Sequence, residues 1–530
     1  MAVQLREVSL TLKEGEESLP EKVAAELGLQ QSELGNFRIL RRAVDARRKS
    51  AVLRVFTVVF EVADEEALLA RQAHNHRLSP WQPPPLPQIV FRRRDRRILV
   101  VGMGPAGLFA ALSLLRHGFQ VTLIERGEAV EGRVAAVRRF RATGLLDPDS
   151  NIQFGEGGAG TFSDGKLNTR VKHPWGPYVL QTLVGFGAGE EILTQAKPHV
   201  GTDRLRLVLI RFRQELLRLG AEIRFGTCLT DLNLGPEGLR GAVLNGCREL
   251  DCDSLVLATG HSARDTYEML LRRGVALESK AFAVGLRVEH PVERINKIQF
   301  GQARHPRLPA AEYALAYNDP ETQRGIYSFC MCPGGEVVVA ASESQGLVVN
   351  GMSNRLRNGC FSNSALVVAV RPEDFGAADA LAGVRFQRRW ERAAFEAGGG
   401  DFHAPAQNLL AFLGRGRGPV LSSCRPGVRE WDLQEVLPSF VATGLRRALP
   451  RFERRMRGFI TAEATLVGVE TRTSAPCRVL RRQDGQALNH RGLYPVGEGA
   501  GYAGGIMSAA LDGLQAAEQI AGTATDRSHC

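Results

Sequence analysis

The sequence has no membrane-length apolar segment and no paired-cysteine pattern, and both absences restrict the class of protein. The apolar run Leu108–Leu115 is far shorter than the roughly 20 apolar residues that cross a bilayer. The nine cysteines are scattered, without the CxxC…CxxC spacing of zinc sites. The first residues lack the basic segment and apolar core of a secretory signal. We therefore expect no membrane partner, no bound metal, and a cytoplasmic protein with reduced thiols.

Neither sign of charge dominates the composition. The 530 residues include 68 Lys and Arg against 57 Asp and Glu, and 44% of the chain is hydrophobic. These values are typical of a globular protein with a solvated, slightly basic surface, and they leave anionic ligands or nucleic acid open as partners. Since single hydrophobic cores stop growing at about 250–300 residues, we expect more than one domain.

Composition and pattern divide the chain into five predicted segments. Residues 1–78 show the order β-α-β-β-α of a small α+β domain. Five prolines within ten residues, followed by a basic run, predict a linker over 79–97. The first part of a nucleotide-binding domain is predicted over 98–270, an inserted substrate or cap domain over 271–484, and the return of the nucleotide-binding domain over 485–525.

A basic stretch in the N-terminal segment has two interpretations. Between Arg38 and Arg54 there are seven Lys or Arg against one Asp, on two β-like runs joined by a turn. A solvated hairpin face explains this pattern without a partner. A hairpin that contacts RNA or an acidic partner is the alternative, and a steep loss of RNA affinity with salt would identify it.

The clearest functional signal is a glycine-rich loop after an apolar run. The sequence GMGPAG occupies 102–107 and leads into a helical pattern. In such a loop Gly102 permits a tight turn, Gly104 lets the backbone approach a pyrophosphate, and Gly107 lets the helix pack against the strand. Free N–H groups at the helix N-terminus then face the phosphates. The next strand ends at Glu125, where an acid can accept hydrogen bonds from ribose hydroxyls.

Two other GxGxxG strings lack this context. The string at Gly155–Gly160 follows no aliphatic strand and precedes no helix. The string at Gly499–Gly504 precedes a helix, but no later strand and acid complete the pattern. We therefore expect no second nucleotide domain, so that NAD(P)H would bind only transiently.

Three separated segments resemble the FAD flavoproteins of the glutathione-reductase-like superfamily. They are GMGPAG followed by IERG at 124–127, LVLATG at Leu255–Gly260, and GLYPVGEGAGYAGGIMS at Gly492–Ser508. The resemblance implies FAD as the cofactor, with Arg133 at its phosphates or ribityl chain. It also implies an acid at the ribityl chain, usually Asp, at the position where this sequence has Glu498.

Further motifs are similar to a bacterial and plastid family usually called uncharacterised FAD-dependent dehydrogenases. The similarity covers most of residues 37–522, and it implies a fold and a cofactor but no substrate. Its motifs lie at Phe154–Arg170, Ala258–Leu270, Lys280–Pro291, Tyr327–Glu343, Asn350–Gly359 and Gly468–Pro476.

The predicted fold class is α/β. We expect a Rossmann-like FAD-binding domain of glutathione-reductase type, a large inserted α+β substrate domain, and a small N-terminal α+β domain. The residues predicted to hold FAD are Gly102, Gly104, Pro105, Ala106, Gly107, Glu125, Arg126, Arg133, Gly157, Gly158, Ser163, Asp164, Thr259, Gly260, Gly497, Glu498, Gly504, Gly505 and Ile506.

Three residues are candidates for catalysis. His261 and Arg264 follow the turn after LVLATG and could supply a proton donor and an anion clamp. Arg472 could hold a substrate carboxylate with two parallel hydrogen bonds, although structural ion pairing explains each arginine equally well. Cys330 and Cys332 form a CxC pair, which would close a small strained ring, so we expect pocket-lining or buried thiols rather than a redox couple.

These patterns favour one function over two alternatives. The favoured function is an FAD-dependent oxidoreductase or dehydrogenase that transfers a hydride between flavin and a small-molecule substrate. The alternatives are a flavoprotein that binds or modifies RNA and a non-catalytic flavin-bound scaffold. The substrate, the electron donor or acceptor, the reaction direction and the oligomeric state are left open.

Overall fold

The structure is a computed structural model that describes residues 2–87, 89–169, 171–236 and 238–523. Arg170, the last residue of one family motif, lies outside the described residues. The same holds for residues 524–525 of the predicted segment 485–525.

The N-terminal region is a four-stranded antiparallel sheet with two helices on it, in the strand order β2-β3-β1-β4. Val3 and Leu5 on β1 and Val58 on β3 are buried in one core, whereas Gln4 and Thr57 beside them are partly exposed, as a half-buried sheet requires. The elements are β1 (Ala2–Thr11), α1 (Leu19–Leu27), β2 (Gly35–Asp45), β3 (Leu53–Glu61), α2 (Glu65–Arg71) and β4 (Leu78–Trp81).

The strand β4 changes one predicted boundary. It begins at Leu78 and pairs antiparallel with β1, so the N-terminal sheet continues into the segment predicted as a linker over 79–97. Pro80 is tolerated there because β4 is an edge strand with a neighbour on one side only. The linker predicted from the prolines therefore begins a few residues before the strand β4 ends.

The second region is built on a five-stranded parallel sheet, in the order β22-β11-β5-β6-β7. Its central strands are continuous apolar runs, as expected for parallel strands that are buried on both faces. Its elements up to the cap are β5 (Arg97–Val101), α3 (Pro105–Arg116), β6 (Gln120–Ile124), α4 (Val130–Thr143), α5 (Gly176–Gly185), α6 (Thr202–Arg218), β7 (Glu222–Arg224), β8 (Leu229–Gly235), β9 (Gly238–Leu244), β10 (Arg248–Asp251), β11 (Ser254–Leu257) and α7 (Arg264–Arg272).

The third region, called the cap below, contains an eight-stranded sheet in the order β14-β15-β17-β13-β20-β18-β19, with β16 paired to β15. The helix α7 spans the predicted boundary at 270–271. The cap elements are β12 (Leu277–Ser279), β13 (Phe282–Pro291), α8 (Val292–Phe300), β14 (Ala316–Asp319), β15 (Arg324–Val339), β16 (Val349–Met352), β17 (Phe361–Val370), α9 (Ala382–Ala397), β18 (Ala404–Asn408), α10 (Leu409–Phe412), β19 (Val428–Glu430), α11 (Ser439–Arg455), β20 (Thr465–Glu470) and β21 (Cys477–Val479).

The chain then returns to the parallel sheet through β22 (Leu493–Pro495) and α12 (Ile506–Thr523). The predicted mixed α/β fold is confirmed. One hydrophobic cluster joins the cap to the parallel sheet, since Leu99 and Val101 of β5 pack in the same core as Val384 of α9 and Val479 of β21. Among the described residues, no helix is long and apolar enough to cross a membrane.

Candidate functional site

A cavity of about 560 Å³ lies where the carboxyl ends of the parallel strands face the cap. Ligands of open α/β sheets bind in this crevice. The predicted residues that line the cavity are Gly102, Gly104, Pro105, Ala106, Glu125, Arg126, Gly158, Ser163, Asp164, Thr259, Gly260, His261, Arg472, Gly497, Glu498, Gly504, Gly505 and Ile506.

The three glycines of the 102–107 loop have different surroundings. Gly102 has φ of +99°, and a Cβ there would lie 2.5 Å from the carbonyl oxygen of Ala258. A Cβ on Gly107 would lie 1.9 Å from the carbonyl oxygen of Gly102, because the helix packs directly on the turn. At Gly104 the nearest described atom beyond the adjoining residues is the Cα of Gly158, 3.9 Å from a Cβ. The protein leaves space beside Gly104, which fits a pyrophosphate.

Glu125 organises this end of the cavity. Its carboxylate accepts hydrogen bonds from the backbone N–H groups of Met103 (2.8 Å), Gly127 (3.0 Å) and Gly155 (2.9 Å). Since Met103 and Gly155 belong to separate loops, the buried carboxylate ties the loop after β5 to the loop before the 3-10 helix Gly158–Phe162. A carboxylate has about four acceptor positions, so one remains for a ribose hydroxyl.

Three residues predicted to contact FAD lie outside the cavity lining. Arg133 is buried, and its guanidinium donates to backbone carbonyls of the loop from Asn151 to Glu156. This arginine therefore shapes the loop and does not reach the cavity. Gly157 donates its N–H to the carbonyl of Met103 (2.8 Å), which holds the two loops together. Gly107 acts through helix packing, as described above.

The turn after β11 brings His261 close to Glu498. His261 Nε2 lies 3.7 Å from Glu498 Oε2, and both side chains line the cavity. Burial, with the charges of Arg472 and Arg264, lowers the pKa of His261 to about 4. Burial raises the pKa of Glu498 to about 7. At neutral pH the imidazole is uncharged, while the carboxyl can hold or release a proton.

The raised pKa of Glu498 predicts that the free energy of unfolding depends on pH. Between pH 4.5 and 7 the folded chain keeps a proton on Glu498 that the unfolded chain has released, so this group destabilises the fold as pH rises. Glu498→Gln should remove a penalty on the order of 2 kcal/mol at pH 7.5 and little at pH 4.5. Urea unfolding of flavin-free protein at both pH values measures it. A constant difference between variant and wild type would contradict the assignment.

The structure gives Arg264 and Arg472 a different role from the predicted anion clamps. Both guanidinium groups donate to the carboxylate of Glu391, which is fully buried on α9. Arg264 does not line the cavity, and it also pairs with Glu343. Arg472 completes its hydrogen bonds on the hydroxyls of Ser262 and Ser342. Because the buried carboxylate pairs with both cations, these arginines join the cap to the parallel-sheet region.

Five further groups line the cavity: Tyr313, Ser328, Cys330 and Asn350 of the cap, and Lys166 from the loop before α5. Two of them agree with expectations from the sequence. Lys166 follows the second glycine-rich string, in a loop that could touch FAD or substrate, and Cys330 was expected to be a pocket-lining or buried thiol. Tyr313 and Asn350 carry no local signal, since only the folding of the cap brings them to the cavity.

Asp164 lines the cavity, but its carboxylate is already bound by side chains of the cap. It forms ion pairs with Arg357 and with Lys166, whose Nζ lies 3.2 Å from Oδ1. Ser353 also donates its hydroxyl to this carboxylate. The charges of Lys166 and Arg357 outweigh burial and hold the pKa of Asp164 well below its usual range. Asp164 therefore fixes Lys166 at the cavity wall.

Three segments of the chain match known families. Residues 95–145 match the family described as "FAD binding domain". Residues 281–473 match "FAD-dependent protein, C-terminal domain-like". Residues 2–61 match "Domain of unknown function (DUF8436)". Together with the open space at Gly104, the first two matches identify FAD as the cofactor.

One curated relative matches almost the whole chain. It is an "Uncharacterized protein" of Clostridium beijerinckii (strain ATCC 51743 / NCIMB 8052), 43% identical over 527 residues, which are 98% of each chain. Among solved structures, flavin-dependent brominase Bmp2 is 12% identical over 82% of this chain and 80% of that chain, with a TM-score of 0.39. A geranylgeranyl bacteriochlorophyll reductase-like protein of Thermoplasma acidophilum is 10% identical over 82% and 80%, with a TM-score of 0.34. These two scores carry no functional conclusion.

Proposed function

We propose that this chain, which belongs to the same family as its Clostridium beijerinckii relative, is an FAD-dependent oxidoreductase. The proposed reaction transfers a hydride between FAD and a small polar or anionic substrate bound against the cap. FAD supplies the hydride chemistry when bound, and the protein supplies binding and orientation.

One observation carries this proposal: a single cavity is shared by the FAD-binding loop and the cap. Its lining includes Gly104 at one side and Ser328 and Cys330 of β15 at the other. A cofactor held at the Gly104 loop therefore leaves the cap wall as the surface for a substrate. A scaffold that only stores flavin has no need for polar groups on that wall.

The substrate side combines a cation with neutral polar groups. Lys166 presents an ammonium group, which attracts a carboxylate or a carbonyl oxygen. The hydroxyl of Ser328 and the amide of Asn350 add directional hydrogen bonds, while Phe329 and Met331 supply apolar surface. This mixture suits a small molecule with one anionic or carbonyl group.

The direct test is an anaerobic substrate screen on the purified holoprotein. Small carboxylic acids and carbonyl compounds are added singly, and the visible absorption band of the flavin is followed. Bleaching by a defined compound, with recovery of its oxidised product, supports the proposed function. A flavin that is reduced by dithionite but by none of the compounds, and that reduces none of them afterwards, favours the scaffold alternative.

A bulky residue on the cap wall should block the substrate and spare the cofactor. Ala314 is exposed and lines the cavity, so Ala314→Trp fills its cap side without disturbing the core. We expect KM to rise about tenfold or more, a loss of about 1.4 kcal/mol of binding, at unchanged FAD content. Ala316→Trp is the control, because Ala316 is also exposed but outside the lining. Equal KM values in the two variants would place the substrate elsewhere.

The type of FAD-binding fold is also part of this proposal. The order β22-β11-β5-β6-β7 and the late return of the chain support a glutathione-reductase-type arrangement with the cap as an inserted domain. The proposed binding of NAD(P)H is transient, at the open cavity.

For the basic hairpin we favour a solvated face over an RNA contact, since three of its seven basic side chains form ion pairs within the N-terminal region: Arg42 and Arg54 with Glu16, and Arg47 with Asp45.

A further inference from the structure

The N-terminal sheet is attached to a segment that reaches the cavity. Its edge strand β2 forms a parallel bridge at Arg42 to residues 194–196. Arg42 donates its backbone N–H to the carbonyl oxygen of Thr194 at 2.6 Å, and its own carbonyl oxygen accepts from the N–H of Ala196 at 2.8 Å. Lys197 follows directly. It lines the cavity with a side chain that is 63% exposed, and it therefore marks the mouth of the cavity.

The side chain of Arg42 strengthens this attachment. Its guanidinium group donates to the hydroxyl of Thr194 and to the carboxylate of Glu16, which belongs to the N-terminal region. The ion pair with Glu16 at 3.0 Å restrains the guanidinium group. The bond to Thr194 therefore costs little further side-chain entropy.

The same segment continues toward Lys166. Its residues 198–201 pair antiparallel with residues 164–167, as in the hydrogen bond of 2.8 Å from the N–H of Leu167 to the carbonyl oxygen of Pro198. The segment therefore connects the N-terminal sheet to the backbone of a lysine on the cavity wall.

The N-terminal region also contacts the other side of the mouth. Arg307 of the cap donates to the backbone carbonyl oxygens of Leu12 and Glu14. Glu312, on the same cap loop between α8 and β14, lines the cavity and pairs with Lys197, with 3.1 Å between Oε2 and Nζ. Both residues of this ion pair therefore belong to segments that the N-terminal region contacts.

Positive charge exceeds negative charge at the mouth. Glu312 also pairs with Arg357 at 2.8 Å, and Asp164 pairs with Arg357 and with Lys166. Together with Lys197, three cations alternate with two carboxylates, which leaves one positive charge. A cleft lined by an excess of one charge raises the local concentration of ions of the opposite charge.

We propose that Arg42 is a positioning residue. It holds residues 194–201, and with them Lys197, at a mouth through which anionic ligands enter the cavity. The N-terminal region thereby controls access to the cavity. Entry of an anion does not depend on the reaction that follows, so this inference goes beyond the proposed function.

Hydrogen exchange of the holoprotein, followed by peptide mass spectrometry, tests the positioning. Arg42→Ala and Thr194→Val remove the same side-chain hydrogen bond from its two ends. Each should speed exchange of residues 164–167 about threefold or more, because their ladder then opens more often. Arg41→Ala is the matched control, since Arg41 is the exposed neighbour on β2 and carries the same charge. FAD absorbance and the unfolding midpoint report whether each variant is folded.

Two reductants of opposite charge test the entrance. The rate of flavin reduction is measured at low salt with dithionite, an anion, and with the radical cation of methyl viologen. Lys197→Met should lower the ratio of the first rate to the second roughly threefold or more, and high salt should shrink this effect. Arg42→Ala should lower the ratio more than Arg41→Ala. Both variants lose one positive charge, but only Arg42 holds the segment of Lys197.

Three results would overturn the proposal. Unchanged exchange of residues 164–167 in both Arg42→Ala and Thr194→Val would show that the N-terminal sheet does not hold the mouth. An unchanged ratio in Lys197→Met would place the entrance elsewhere. Equal ratios in Arg42→Ala and Arg41→Ala would reduce the effect to long-range charge. Neither measurement uses a substrate, so each can fail while the substrate screen succeeds.

Discussion

Gly104→Val should give a folded protein that has lost its FAD. Gly104 has φ of −78° and ψ of −178°, which valine readily adopts, and beyond the adjoining residues no described atom lies closer than 3.9 Å to the added Cβ. The valine methyl groups would instead occupy the space that fits a pyrophosphate. We expect FAD affinity to fall at least 100-fold, about 3 kcal/mol, with little change in the unfolding midpoint of the flavin-free protein.

Two further glycine variants make this result specific. Gly176→Val places the same side chain at the start of α5, where a Cβ has open space among the described residues, so FAD should remain bound. Gly107→Val should damage both FAD binding and the fold, because its Cβ would overlap the Gly102 carbonyl. Flavin released by heating and the unfolding midpoint are measured for all three. Full FAD occupancy in Gly104→Val would show that the phosphates bind elsewhere.

Glu391→Gln should destabilise the protein more than any surface charge change. The substitution removes the buried negative charge that Arg264 and Arg472 share, so that both guanidinium groups then depend on the partly exposed carboxylate of Glu343. Breaking a buried ion pair in this way costs about 3–5 kcal/mol. Denaturant unfolding, followed through the flavin and through intrinsic fluorescence, measures the loss.

The same helix supplies the control. Glu396 pairs with Arg392 one turn apart on α9, and their side chains are 64% and 65% exposed. Glu396→Gln should therefore change the free energy of unfolding by less than about 1 kcal/mol. If the two variants are equally stable, the network around Glu391 does not hold the cap on the sheet.

The prediction of the FAD-binding loop depends on local patterns alone. The roles of Gly102, Gly104 and Gly107 follow from backbone geometry and helix packing, which involve neighbours close in sequence. The predictions for Arg133, Arg264 and Arg472 depended on partners more than a dozen residues away. The sequence shows the charge and spacing of these arginines. It does not show whether each guanidinium group binds a ligand, a backbone carbonyl or the carboxylate of Glu391.

The sequence by itself determined the mixed α/β class and FAD, and it predicts the phosphate loop, because each depends on short-range periodicity and on glycines in a strand–loop–helix context. Only the tertiary structure decided which side chains lie together on the proposed substrate side of the cavity. Lys166, Cys330 and Asn350 belong to separate segments that meet only after the cap folds onto the parallel sheet. The physical reason is that burial and long-range ion pairing, rather than local propensity, set which side chains face the cavity and which charges they retain.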